Sequence, residues 1–290
     1  MTTFAASSHA GLKRDHNEDY YRTEAELGLW LVADGVGGHA DGEVAARIVG
    51  DTIVQKFSDG ESLVDAILAA HQAVLKEIDS RENSNMGSTV IALKLQGNDY
   101  ELSWVGDSRA YLYNGNIKQL SRDHNPVNEL LARGAITPQQ AAVHPERHVL
   151  SQSLGVSTSV KVRPGRICGT LLPGEQILLC SDGLTDELDD SAIAATLAAH
   201  TAPEAQVDAL IHGALQAGGR DNVTVVLLGA APGRAASRTR SSSANSTTRK
   251  MMAVNQDAVD DQHPNHDQKI WALLAVMGSL AILWVLLRVF

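Results

Sequence analysis

A chain of 290 residues with 44% apolar and 4% aromatic side chains is long enough for a full-sized core in one or two domains. Its formal net charge of −10 argues against a nucleic-acid partner, which would want a basic face. Two cysteines, Cys168 and Cys180, make neither a disulfide framework nor a zinc site and read as small core residues, and the histidines show no HExxH spacing.

Residues 1–11 are small and polar and lack the apolar region of a secretory signal. Strands are expected at about 18–24 and 28–33. The second of these, Leu29-Trp30-Leu31-Val32-Ala33, stops at Asp34 and runs into Gly35-Val36-Gly37-Gly38-His39. Glycines there let a turn pass close to a ligand without a Cβ in the way.

Glu43 to Phe57 carries an apolar stripe at helical spacing, and a second helix places Val64, Ile67, Leu68, His71, Leu75 and Ile78 on one face. His71 reads as a satisfied core histidine. Ser88 to Leu95 and Tyr100 to Val105 form a hairpin around Gln96-Gly97-Asn98-Asp99, with Glu101 and Ser103 facing outward. Ala110–Tyr113 and Ile117–Leu120 form another, and together the four strands read as an antiparallel meander.

From 121 to about 159 the pattern is helical and irregular, with a short helix opening at Pro126, as in an insert that shapes access to a site. Strands at about 160–169 and 175–180 and helices at about 189–199 and 203–217 follow, the last with a capping-box pattern, Thr201-x-x-Glu204. The continuous apolar run Val223–Leu228 suits a strand covered on both faces. Grouped strands with a helix pair near each end predict an α+β fold: an antiparallel β-sandwich flanked by helix pairs, in α-β-β-α layers.

The globular pattern covers 1–231. Residues 232–269 are rich in Ser, Thr, Ala and Asn with no apolar period, and read as a disordered linker. Within 270–290, Ile270 to Leu287 carries no charge; as a helix it spans about 27 Å, close to a bilayer core. Trp271 and Trp284 suit interfacial anchors, and Arg288 can snorkel to the headgroups. A C-terminal transmembrane anchor is expected, with the large domain cytoplasmic.

Acidic residues recur at strand edges: Glu18-Asp19, Asp34, Asp107, Asp182 and Asp221. If these edges meet at one end of a sheet, the carboxylates converge, and such a cluster needs counter-ions. Ligands that are all oxygen favour Mg²⁺ or Mn²⁺ over zinc.

In this order, Arg14-x-x-Asn17-Glu18-Asp19, Asp34-Gly35-Val36-Gly37-Gly38-His39-x-x-Gly42-Glu43, Met86-Gly87-Ser88-Thr89, Gly106-Asp107-Ser108-Arg109, Ser181-Asp182-Gly183 and Gly219-Arg220-Asp221-Asn222 resemble the motifs of the PP2C metal-dependent serine/threonine phosphatases, bacterial branch. The resemblance covers about 10–228. It implies hydrolysis of phosphoserine and phosphothreonine on proteins, targets of a Ser/Thr kinase, by a metal-activated water.

It also implies that Asp34 bridges two Mn²⁺ or Mg²⁺ ions, with Asp182 and Asp221 completing one and the Gly35 carbonyl and waters the other. Glu18 and Asp19 would act near the metals through water, Asp107 would help hold a third ion, and Arg14 would bind the phosphate. Some members carry His directly after the Asp-Gly pair; here Val36 stands there, which leaves His39 or a metal-bound water to protonate the leaving alkoxide. Three rivals stand beside this reading. A non-catalytic module would have lost a bridging carboxylate, a two-metal nuclease would want a basic, aromatic groove, and an anchored adaptor would need only the linker and span.

Overall fold

The computed structural model describes residues 2–37, 41–81, 85–155 and 161–230. The chain opens with β1 (Thr3–His9), β2 (Asp19–Glu24) and β3 (Leu29–Gly37), then α1 (Asp41–Ser58) and α2 (Leu63–Ser80). Next come β4 (Met86–Ser88), β5 (Val90–Gln96), β6 (Asp99–Val105), β7 (Arg109–Tyr113) and β8 (Ile117–Gln119). The insert holds α3 (Pro126–Ala132) and α4 (Pro138–Ala142); β9 (Gly165–Thr170), β10 (Gln176–Cys180), α5 (Asp182–Thr185), α6 (Asp190–Ala199), α7 (Pro203–Ala217) and β11 (Val223–Gly229) complete the order.

Two antiparallel sheets result: β1-β11-β10-β7-β8, and β2-β3-β5-β6-β9 with β4 on β3. Strand β3 shows why they stack in layers. Its side chains alternate between faces, and both faces are buried. Leu29, Leu31 and Ala33 pack with Ala46, Val49 and Ile53 of α1 and Ile67 and Val74 of α2. Trp30 and Val32 face the other way, into a core shared with Ile177, Leu179, Val226 and Leu228 of the second sheet. On that sheet's outer face Leu178, Val225 and Leu227 meet Ile193, Val207, Leu210 and Ala214 of α6 and α7. The expected layered α+β sandwich is what forms.

Several expectations are corrected. The polar segment at the start is a strand: β1 pairs with β11 from Thr3↔Gly229 to His9↔Val223. The expected meander is split, because β6 and β7 lie in different sheets and the chain crosses over at Gly106-Asp107-Ser108. Gly106 makes that crossing at φ 106°, its Cα side hard against Thr89. Ser103 is not outward but fully buried, donating to the Gly165 carbonyl at 2.9 Å where β9 covers it. Cys180 is buried but Cys168 is exposed. The capping box at Thr201 does not form; Ala202 caps α7 without a side-chain bond, and Pro203 starts the helix with its fixed φ. His71 is a core histidine as expected, accepting from the Gly155 N–H at 3.0 Å.

The chain divides into units Met1–Ala236 and Ser237–Phe290. The expected linker and anchor, 232–290, lie outside the described residues, as does His39. Among the described residues no helix is long and apolar enough to cross a membrane.

Candidate metal centre and active site

The expected carboxylates come from chain ends that the sheets bring together. Asp34 lies near the end of β3, opposite Asp19 in the β2–β3 register. Its backbone is clamped: Thr89 N–H donates to its carbonyl at 2.8 Å and its own N–H donates to Thr89 Oγ1 at 3.2 Å. Thr89 Oγ1 in turn shares a 2.7 Å hydrogen bond with Ser108 Oγ, beside Asp107. Asp182 opens α5 immediately after β10 and Ser181, and Asp221 immediately precedes Asn222 and β11.

The glycines around these acids allow backbone contacts too close for a side chain. A Cβ on Gly35 would stand 2.0 Å from the Gly42 carbonyl oxygen, and one on Gly183 would stand 2.0 Å from that of Asn222. Asn222 ties the first loop to the last strand. Its Nδ2 donates to the carbonyls of Ala10 and His16, both at 2.9 Å, and its Oδ1 accepts from Glu18 N–H at 2.8 Å.

One pocket of about 400 Å³ is lined by Arg14, Glu18, Asp34, Gly35, Asp107, Asp182 and Asp221, together with Val36, Thr89 and His148. Asp19 lies just behind it, 8% exposed, and accepts from Ser181 Oγ at 2.7 Å. All the expected site residues among those described are therefore in the pocket or behind it. Val36, the residue after the Asp34-Gly35 pair, is 47% exposed at the rim. His148 was not legible as a site residue; its only signal was its place in the insert, expected to border the site.

Electrostatically the pocket is strained. Burial, then Asp19 and Asp182, pushes the Asp34 carboxyl well above the ordinary range. Burial and Asp107 do the same to Asp182. Burial takes Asp19 and Asp107 to about 6, and it raises Glu18 as well. Arg14 pairs directly with Asp221, its Nη2 2.7 Å from Asp221 Oδ2, and its charge partly offsets the rise at Glu18.

In this arrangement no three His, Cys, Asp or Glu side chains among the described residues stand together as an ion-holding group. The residues nevertheless fit divalent cations. The donors are oxygen only, as hard ions require. Burial and mutual repulsion leave Asp34 and Asp182 well above the ordinary carboxylate range, and Asp19 Oδ1 is buried with no hydrogen-bond partner.

The family profile described as Protein phosphatase 2C matches residues 8–216. The chain belongs to that family. It is 37% identical over 234 residues to the serine/threonine protein phosphatase PstP of Mycobacterium tuberculosis, an alignment covering 77% of this chain and 44% of PstP. The chain thus spans less than half of that protein. It is 32% identical over 237 residues to the serine/threonine phosphatase stp of Listeria innocua, covering 75% of this chain and 92% of stp.

Among solved structures, the catalytic domain of PstP in complex with two manganese ions superposes with a TM-score of 0.70 at 33% identity, over 79% of this chain and 98% of that one. The PP2C fold accounts for the four layers and for the order in which the acidic motifs reach the pocket. The described residues thus form a phosphatase domain of the PP2C family, of the kind found in bacterial serine/threonine phosphatases.

Proposed function

We propose that the whole protein hydrolyses phosphoserine and phosphothreonine on phosphorylated proteins, the targets of a Ser/Thr kinase. The observation that carries this is the convergence of Asp34, Asp182 and Asp221 with Glu18 and Asp107 in one pocket that also contains Arg14.

In this reading Asp34, Asp182, Asp221 and the Gly35 carbonyl hold two divalent ions, with Asp107 toward a third. Ions so held would lower the pKa of a bound water and so supply the nucleophile at neutral pH. The protein's own residues do the rest. Thr89 and Ser108 fix the backbone that carries Asp34. Ser181 Oγ holds Asp19 Oδ2 behind the pocket, where Asp19 would act near the ions through water. Arg14 turns from Asp221 to the phosphate oxygens, which suit a guanidinium fork. His39 is a candidate proton donor to the leaving alkoxide.

Residues 1–231 form the catalytic domain in this proposal, 232–269 a linker and 270–290 a single membrane span that leaves the domain cytoplasmic. The charge-free run Ile270–Leu287 supports this.

The test uses the full chain and a phosphothreonine peptide, with Mn²⁺ and then with excess chelator. Phosphate release should require the metal and vanish in Asp34→Asn. Release that survives chelation would defeat the proposal.

A further inference from the structure

The phosphate pocket has a neighbour that the reaction uses only at their common wall. A cavity of about 460 Å³ adjoins it and shares Asp107, Asp182 and His148 as common wall. Its far side is built by the insert: Val127 and Leu131 of α3 and Pro138 and Ala141 of α4 give it apolar surface.

Four carboxylates line this cavity, and two of them, Asp107 and Asp182, sit on the shared wall and belong to the proposed ion site. Arg109 grips both oxygens of buried Asp123, at 3.1 and 2.8 Å, so that pair is internally neutral. His148 Nδ1 lies 3.4 Å from Asp186 Oδ1. Two further cations line the cavity, Arg122 and Arg147. Among the described residues neither has a carboxylate partner at ion-pair distance. Arg122 donates to the Asn128 carbonyl, which leaves guanidinium donors over.

Exposed arginines are ordinarily no more than a solvated face. These two differ in how their backbones are held. The Arg122 carbonyl accepts from Trp104 Nε1 at 2.8 Å, and the Arg147 carbonyl accepts from Asn125 Nδ2 at 2.9 Å. Trp104 is 7% exposed and Asn125 4%. Buried donors thus fix the roots of both side chains beside the cavity, which lowers the ordering cost of using them.

We propose that this cavity is a substrate subsite that takes an anionic side chain flanking the phosphorylated residue, with Arg122 and Arg147 as its recognition groups. This rests on the phosphatase reading above. An extended peptide places side chains of the same face about 7 Å apart, so a residue two positions from the phosphoresidue reaches a cavity that shares a wall with the phosphate pocket. The anion is either a carboxylate or a second phosphate, and both suit a guanidinium fork.

The full chain with Mn²⁺ is given p-nitrophenyl phosphate and phosphothreonine peptides with alanine, aspartate, lysine or a second phosphothreonine two residues to either side. At least one anionic peptide should show a KM about five- to tenfold below the alanine peptide, a gap that narrows with salt. The peptide that shows it identifies the source of the anion. Arg122→Ala with Arg147→Ala should erase the gap, and Arg147→Glu should invert it toward lysine peptides. Turnover of p-nitrophenyl phosphate should stay unchanged in these variants.

Equal KM values across the peptides, or a preference that survives both substitutions, would overturn the subsite while p-nitrophenyl phosphate turnover upholds the phosphatase. Loss of p-nitrophenyl phosphate turnover in the unaltered chain would overturn the phosphatase reading, and the subsite with it.

Discussion

Arg14 Nη2 donates to Asp221 Oδ2 at 2.7 Å, across 207 positions of sequence. The residue expected to bind phosphate thus rests on a residue expected to bind metal. A cation on Asp221 would compete with Arg14 for that carboxylate, and the pairing orders the events: cations on Asp221 free Arg14 for the phosphate. Arg14→Ala should therefore leave Mn²⁺ affinity equal or higher, read by calorimetry. It should also lower kcat/KM for a phosphopeptide by about ten- to a hundredfold, the range of one charged hydrogen bond. A fall in metal affinity would show that Arg14 supports the metal site instead.

Asp34 is held among acids by a backbone that does not yield, since Thr89 fixes both its N–H and its carbonyl. Without metal, removing its charge relieves repulsion. Asp34→Asn should raise the melting temperature of the metal-free protein, by about 2–4 °C for each kcal/mol relieved. The same variant should lose the further rise that Mn²⁺ gives the unaltered protein. Calorimetric scans with and without Mn²⁺ check both halves.

The sign of the pH dependence follows from the same acids. Asp19 and Asp107 titrate at about 6 in the fold against an ordinary 3.8. Between those values the folded chain keeps protons that the unfolded chain has released. Their contribution is complete below about pH 4 and is lost as pH rises through about 6. Denaturant titrations from pH 4 to 7 should show metal-free stability declining across that window relative to the Mn²⁺ form, in which cations take the place of the protons. A gap between the two forms that stays constant with pH would contradict this.

Gly35 has no room for a methyl group, with the Gly42 carbonyl oxygen 2.0 Å from where a Cβ would lie and the Glu18 carbonyl oxygen at 2.8 Å. Both contacts are backbone and cannot swing aside. Gly35→Ala should destabilise the domain by about 1–3 kcal/mol in urea titrations and abolish turnover, because the shift falls on the residue after Asp34.

The anchor makes a separate prediction. A chain ending at residue 231 should turn over phosphopeptide like the full chain yet leave the membrane fraction. Loss of turnover would show that the tail belongs to the catalytic unit.

What could be read in the sequence was whatever period or local motif reports. The continuous apolar runs of β3 and β11 and the acids at strand ends were legible because each is written within a few residues. Strand β1 was not. Of its seven residues only Ala5 is buried, since β1 is an edge strand whose partner, β11, lies at the far end of the domain. The crossing at Gly106 was missed because two successive hairpins look alike whether or not they share a sheet. The cap at Thr201 lost to Pro203, whose fixed φ starts the helix two residues later. His148 and the Arg14–Asp221 pair depend on how the insert and the first loop fold back over the pocket, and no local pattern encodes that.

The most direct measurement is anomalous scattering at the manganese edge from crystals of the protein grown with Mn²⁺. At least two peaks are expected, with Asp34 between them, Asp182 and Asp221 on one, and Arg14 moved off Asp221. Peaks elsewhere, or none in this pocket with Arg14 still on Asp221, would contradict it.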